Sequence, residues 1–286
     1  MKTFLLSDLH LTPERPATIE EFTRFLTTEA PQAETIYLLG DLFEYWIGDD
    51  AASLLGAKQV LAAMKQASQQ ANCYFIAGNR DFLVGESFTA KSGFKILPDE
   101  TVVDLYGTPT LLLHGDSLCT DDTAHQEFRQ QIVTNTAWHK KFLGLSIPER
   151  IEQAKQARAM SHEHKAQISM EIMDVTEQTV KNSFVEYDVT QMIHGHTHRQ
   201  ATHEYSINGK PCYRYVLGDW AATSSIMTAT AEGLTIANQP IASGHSRKYL
   251  FLLSFWARYQ TIKLFAFLDK AKLAARAFFQ RLSSFF

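Results

Sequence analysis

Five short clusters of Asp, His and Asn, each placed where an apolar run stops, constrain this chain more than any other feature. They are Asp8-Leu9-His10, Gly40-Asp41, Gly78-Asn79-Arg80-Asp81, His114-Gly115-Asp116 and Gly195-His196-Thr197-His198. The runs they end are Phe4-Leu5-Leu6, Ile36-Tyr37-Leu38-Leu39, Tyr74-Phe75-Ile76, Leu111-Leu112-Leu113 and Met192-Ile193, which read as buried strands. Polar, metal-ligating residues recurring at strand ends suit a metallohydrolase, because the sheet holds the ligands rigidly and its edge opens into a cleft. Asp8, His10, Asp41, Asn79, His114, His196 and His198 are the candidate ligands of a two-metal site.

The donor set narrows the metal. Carboxylate, imidazole and amide oxygen without thiolate suit Mn²⁺, Fe²⁺ or Zn²⁺ rather than a structural zinc site, and a carboxylate such as Asp41 can bridge two ions. Two divalent ions about 3.5 to 4 Å apart are a recurring device for in-line displacement at phosphorus.

The rest of the sequence bounds the setting. At 286 residues and 45% hydrophobic, the chain can bury a full catalytic core and still carry an appendage. Cys73, Cys119 and Cys212 have neither paired nor ligand spacing, as in a reducing compartment. The stretch before Asp8 is too short for a signal peptide, so the expectation is a cytoplasmic location. Early strand-like runs at 3–7, 35–39, 73–76 and 110–113 alternate with helical segments near 16–29 and 52–70. Short strands follow at 202–207, 213–217, 225–230 and 234–236, with turns at Asn208-Gly209 and Glu232-Gly233. Mixed sheets with helices on both outer faces satisfy both halves.

The ordered clusters resemble the calcineurin-like metallophosphoesterase superfamily, whose pattern is D-x-H, G-D, G-N-H-[DE], H-G and G-H-x-H, over residues 1 to about 240. The resemblance implies a four-layer αββα sandwich, with Asp41 between the ions, Asp8, His10 and His198 on one, and Asn79, His114 and His196 on the other. One position departs: Arg80 stands where the superfamily has the His commonly viewed as protonating the leaving group. Arg stays charged and cannot do that, but it can clamp phosphate. A phosphate leaving group, with a second pKa of about 6, needs no such proton, so pyrophosphate cleavage is favoured over monoester hydrolysis.

Arg80 and its neighbours narrow the resemblance. Residues 40–50, 78–83, 114–122 and 193–199, including Cys119-Thr120-Asp121-Asp122, resemble the UDP-2,3-diacylglucosamine pyrophosphatase family of lipid A biosynthesis. What this implies is hydrolysis to UMP and 2,3-diacylglucosamine 1-phosphate, usually with Mn²⁺, water attacking the α-phosphorus. Asp41, Asn79, Arg80 and His196 would carry catalysis. Asn79, Arg80, Asp122, Arg158, Ser161 and His196 would bind substrate, with Lys165 supplying the charge of a family Lys replaced by Ile168. The alternatives are a generic nucleotide phosphodiesterase and a non-catalytic scaffold of the same fold. The acidic core argues against nucleic acid, and no obligate protein partner is implied.

Two segments lie beyond the minimal pattern of residues 1–242. The first, 123–174, reads as a helical cap, with Ser146-Ile147-Pro148-Glu149 as N-cap, first-turn proline and capping-box Glu. Its apolar residues, among them Phe128, Ile132, Trp138, Phe142 and Leu143, would line a chamber for acyl chains, with basic residues such as Arg129, Arg150 and Arg158 at its mouth. The competing reading is an ordinary amphipathic insertion. The second, 243–286, holds eight Lys or Arg and one acid after Ser246, near +7 in a chain of −4, leaving about −11 for the rest. Leu264, Phe267, Leu268, Ala271, Ala275, Phe278, Phe279 and Leu282 fall on a helical stripe. A basic, aromatic, amphipathic helix lies in a membrane interface, here the cytoplasmic face of the inner membrane; docking on the core or a dimer contact is the alternative.

Overall fold

The computed structural model describes residues 1–167, 172 and 174–241, apart from the side chains of 160–167. The first half alternates strand and helix: β1 (Thr3–Leu6), α1 (Pro16–Thr28), β2 (Thr35–Leu39), α2 (Lys58–Ala67), β3 (Asn72–Ile76), α3 (Glu86–Ser92) and β4 (Lys95–Leu97). A hairpin of β5 (Thr101–Leu105) and β6 (Thr108–Leu112) leads into the helices α4 (Thr123–Phe128), α5 (Thr136–Leu143) and α6 (Ile147–Gln167). The chain continues through α7 (Glu177–Glu186), β7 (Gln191–His194), β8 (Ala201–Ile207), β9 (Lys210–Val216), β10 (Thr223–Thr230) and β11 (Gly233–Pro240).

The strands form two mixed sheets, ordered β11-β10-β1-β2-β3-β4 and β5-β6-β7-β9-β8. In the first, β1 to β4 are parallel, with Leu6 opposite Leu38 and Leu39 opposite Ile76, so their carboxyl ends lie side by side. In the second, β6, β7 and β9 are parallel. The apolar side chains divide by pleat. Leu5, Leu39 and Ile76 meet Leu112, Ile193 and Leu217 between the sheets. Phe4, Leu6, Ile36, Leu38 and Phe75 pack outward on α1, α2 and α3, whereas Leu111, Leu113 and Met192 pack on Val180 and Phe184 of α7. The C-terminal parts of the central strands are apolar runs because both faces are covered there, the expected αββα sandwich.

Several elements differ from the sequence reading. The helix expected from 52 begins at Lys58, behind turns that include Gly56 at φ +71°. β4, β5, α3 and α7 were not foreseen. The Asn208-Gly209 hairpin is present, with φ of +52° and +75°. All three cysteines are buried.

The described part of 123–174 before 168 is mostly helical, in α4, α5, α6 and a short turn between α4 and α5, and Glu149 makes its half of the expected capping box, its Oε2 accepting from Ser146 N–H at 2.9 Å and Ser146 Oγ–H at 2.6 Å. Two of the basic residues assigned to the mouth of this cap are instead structural ties. Arg150 is 2% exposed, donates to Ile47 O at 2.6 Å and forms a two-point ion pair with Asp50. Arg129 pairs with Asp99 and with Asp116, whose Oδ2 lies 3.1 Å from Nε. Trp138 stacks on Phe142 at 4.6 Å and packs with the helix-facing core. The side chains of Ser161 and Lys165, and residues Ile168 and 243–286, lie outside the described residues.

Candidate metal centre

The candidate ligands sit where the parallel strands of both sheets run out, and the chain reaches them through left-handed backbone. Asp8, His10, Asp41, His196 and His198 have φ between +48° and +65°. This conformation is sparsely populated outside glycine, and clusters of it mark functional sites. The turns are also tight. A Cβ on Gly40, at φ +84°, would stand 2.5 Å from His114 Nδ1 and 2.7 Å from the Gly78 backbone; one on Gly195 would stand 2.1 Å from Asp8 Oδ2. Glycine therefore lets the loops close onto one another.

Two groups of ligand atoms result: Asp8, His10 and His198, and Asp8, Asp41 and His114. In the first, His10 Nε2 lies 3.2 Å from His198 Nε2, which is 3.2 Å from Asp8 Oδ1. In the second, His114 Nε2 lies 3.6 Å from Asp41 Oδ1 and 3.3 Å from Asn79 Oδ1. Asp41 Oδ2 reaches back to within 3.9 Å of His10 Nε2, so this carboxylate faces both groups, while Asp8 also belongs to each. The His196 ring packs 5.1 Å from that of His114, and its backbone N–H donates to Asp8 Oδ2 at 2.9 Å.

Electrostatics favour cations here. Asp8, Asp41 and Asp81 are all nearly fully buried. Burial pushes the Asp41 carboxyl up to about 7 against the pull of His114. Burial would lower His114, but Asp41, Asp8 and Asp116 outweigh it and raise it to about 9. His10 is pushed down to about 3, chiefly by burial. At Asp8 burial opposes the charged form, yet His198, His114 and His10 prevail and hold it below the usual carboxylate range.

The donor set fits divalent metal. Ligand bonds of about 2.0–2.2 Å set adjacent donor atoms some 3 to 3.5 Å apart in tetrahedral or octahedral geometry. The spacings of 3.2, 3.2 and 3.3 Å follow that pattern, and the 3.6 Å between His114 and Asp41 lies just beyond it. His10 and His198 turn Nε2 atoms toward each other while their Nδ1 atoms face carboxylates, Glu44 at 3.5 Å and Asp219 at 3.6 Å. Facing lone pairs repel unless a cation or a shared proton lies between them, so the pair is a place where a metal ion can replace a proton.

Asp81 and Glu44 lie within the motif segments 78–83 and 40–50, but the sequence assigns neither a role. Asp81 is 0% exposed and gathers four backbone donors: Asp41 and Gly78 N–H on Oδ1 (3.3 and 2.9 Å), Leu42 and Phe43 N–H on Oδ2 (2.7 and 3.2 Å). It thereby locks the loop after β2 to the loop after β3. Arg80 N–H donates to Asp41 Oδ1 at 2.9 Å, adding a second tie. Asp122, a candidate substrate contact, caps α4 by accepting from His125 N–H at 3.0 Å. Arg158 pairs with Glu44.

Fold and site together define a metal-dependent phosphoesterase. The sequence profile of the calcineurin-like phosphoesterases matches residues 1–200, and the chain belongs to that family. It is 45% identical over 243 residues to the UDP-2,3-diacylglucosamine hydrolase of Xanthomonas campestris pv. campestris, spanning 82% of this chain and 98% of that protein. The same-named protein of Salmonella typhi is 43% identical over 242 residues, spanning 84% and 100%. Among solved structures, a dimetal phosphatase from Danio rerio aligns over 85% of this chain and 96% of its own, at TM-score 0.44 and 11% identity.

Proposed function

We propose that this chain hydrolyses the pyrophosphate of UDP-2,3-diacylglucosamine to UMP and 2,3-diacylglucosamine 1-phosphate, a step of lipid A biosynthesis. The observation that carries the reading is the match to hydrolases of that name over 98–100% of their length. The gathering of ligand-type side chains at the strand ends supports it.

In this reading Asp8, His10 and His198 would hold one divalent ion and Asn79, His114 and His196 the other, with Asp41 placed to serve both; Mn²⁺ suits this donor set. Bound there, the ions polarise the phosphoryl oxygens and lower the pKa of water. The chain's residues position the rest. Asn79, Arg80 and His196 take the scissile phosphates, and the Arg80 guanidinium offsets the negative charge of the departing phosphate without giving up a proton. Arg158, Ser161 and Lys165 meet the substrate from the cap, and Asp122 holds the start of that cap through α4. Residues 1–242 form the catalytic domain, with the cap at 123–174.

Attachment to the cytoplasmic face of the inner membrane is assigned to 243–286. The relatives match almost end to end yet cover only 82–84% of this chain, which leaves room for an added anchoring segment. Among the described residues no helix is long and apolar enough to cross a membrane.

The test is turnover of UDP-2,3-diacylglucosamine against UDP-N-acetylglucosamine. Apolar contacts to remote acyl chains are used to orient the reacting phosphate. The acylated substrate is therefore expected to have a kcat/KM about a hundredfold or more higher, a difference of roughly 3 kcal/mol in transition-state binding. Equal efficiencies would favour a generic nucleotide phosphodiesterase.

A further inference from the structure

An imidazole that presents Nε2 to a metal must carry its proton on Nδ1, so the group behind Nδ1 fixes the ring and tunes its donor strength. His114 uses a neutral partner, donating Nδ1–H to Leu39 O at 2.8 Å. His10 instead faces a carboxylate: Glu44 Oε2 lies 3.5 Å from Nδ1, within ion-pair range but with no hydrogen bond made while Glu44 is paired with Arg158. The other oxygen of Glu44, Oε1, is the ion-pair partner of Arg158 on α6. One carboxylate is thus shared between a candidate ligand and the cap.

The backbone around Glu44 gives this sharing a fixed origin. Glu44 N–H donates to Leu11 O at 3.1 Å, and Leu11 N–H to Leu42 O at 2.8 Å, next to the ligand Asp41. Trp46 N–H donates to Arg80 O at 2.9 Å. The Glu44 side chain is only 18% exposed, whereas that of Arg158 is 45% exposed. Glu44 stays in place and Arg158 is the partner able to move.

We propose that Glu44 is a positioning residue that couples substrate binding in the cap to the metal site. With Arg158 on Oε1, the guanidinium draws charge from the carboxylate and weakens its hold on His10. An anionic phosphate group that draws Arg158 onto itself returns Glu44 wholly to His10, which sharpens the orientation and donor strength of Nε2. Binding of substrate and tightening of that metal position then favour one another, as linkage requires. This inference rests on the two-metal reading above.

The two partners of the ion pair make opposite predictions, which a purely structural tie would not. Glu44→Gln should weaken Mn²⁺ binding at one of the two positions by about tenfold or more, as loss of an outer partner of a ligating His does. Arg158→Gln should strengthen Mn²⁺ binding at that position by about fivefold, the low end of measured couplings, while weakening substrate binding. The measurement is calorimetric titration of the full metal-free chain with Mn²⁺ alone, with urea midpoints confirming that each variant is folded. Arg158→Gln lies on a half-exposed site, so its arm stands even if Glu44→Gln fails to fold. Weakened Mn²⁺ binding in both variants, or wild-type affinity in the Arg158 variant, overturns the coupling. If the wild-type chain itself does not take up two Mn²⁺, the two-metal reading fails instead.

Discussion

Asp81→Asn tests how the ligand loops are held. The Asp81 carboxylate accepts two backbone N–H groups on each oxygen, from Asp41 and Gly78 and from Leu42 and Phe43. An amide of the same shape has one accepting oxygen. Whichever way it turns, two buried N–H donors lose their acceptor and face an NH₂ group. Each such orphan costs about 1–3 kcal/mol, so the loss is about 2–6 kcal/mol. Part is offset, because burial raises the Asp81 carboxyl above its usual range and the amide avoids burying that charge. The expected net destabilisation is about 2–3 kcal/mol, read from urea unfolding of the metal-free chain. Because the freed donors belong to the segments carrying Asp41 and Asn79, Mn²⁺ affinity should fall with stability. A change under about 0.5 kcal/mol, the level of an ordinary surface substitution, together with normal Mn²⁺ uptake, would refute this account of the loops.

Gly40→Ala places a Cβ against His114 and the Gly78 backbone at a positive φ, so it should cost at least about 2 kcal/mol and abolish metal uptake, measured by unfolding and elemental analysis. Asp99 is pushed up to about 6 by burial and then by Asp116, against the pull of its ion-pair partner Arg129, so the folded state holds its proton more tightly than the unfolded chain. Its contribution is complete below about pH 4 and lost as pH rises through about 6, so Asp99→Asn should flatten the fall in urea midpoint across that window; an unchanged slope would count against the assignment. Truncation near Ser243 should leave a folded, metal-binding chain that sediments less with anionic vesicles, each lost Lys or Arg being worth about 1 kcal/mol near such a surface. Equal vesicle binding by full-length and truncated chains would reject the membrane role.

The central strands and the candidate ligands were legible because both depend on local pattern. Past their first residues β1, β2 and β3 are largely buried on both faces and read as apolar runs ending in polar residues. β4 and β5 are edge strands; β4 has three residues, and β5 alternates half-buried with exposed positions until Leu105, so neither announces itself. The cap charges misled for a different reason. Arg150 finds Asp50 across 100 residues, and Arg129 finds Asp99 across 30, pairings that no sequence periodicity encodes. Asp81 and Glu44 stood inside recognised motifs, yet their work depends on which backbone donors and which imidazole the folded loops bring to them. The left-handed turns at Asp8, His10 and Asp41 are equally invisible before folding, since Asp and His adopt that conformation only where the surroundings enforce it.

The most direct measurement is hydrolysis of UDP-2,3-diacylglucosamine by the purified full chain in ¹⁸O-labelled water, with and without Mn²⁺, with both products weighed by mass spectrometry. Attack of water on the α-phosphorus predicts Mn²⁺-dependent formation of UMP carrying one ¹⁸O and of unlabelled 2,3-diacylglucosamine 1-phosphate. Label in the sugar phosphate, release of UDP, or the same rate in metal-free buffer would contradict the account.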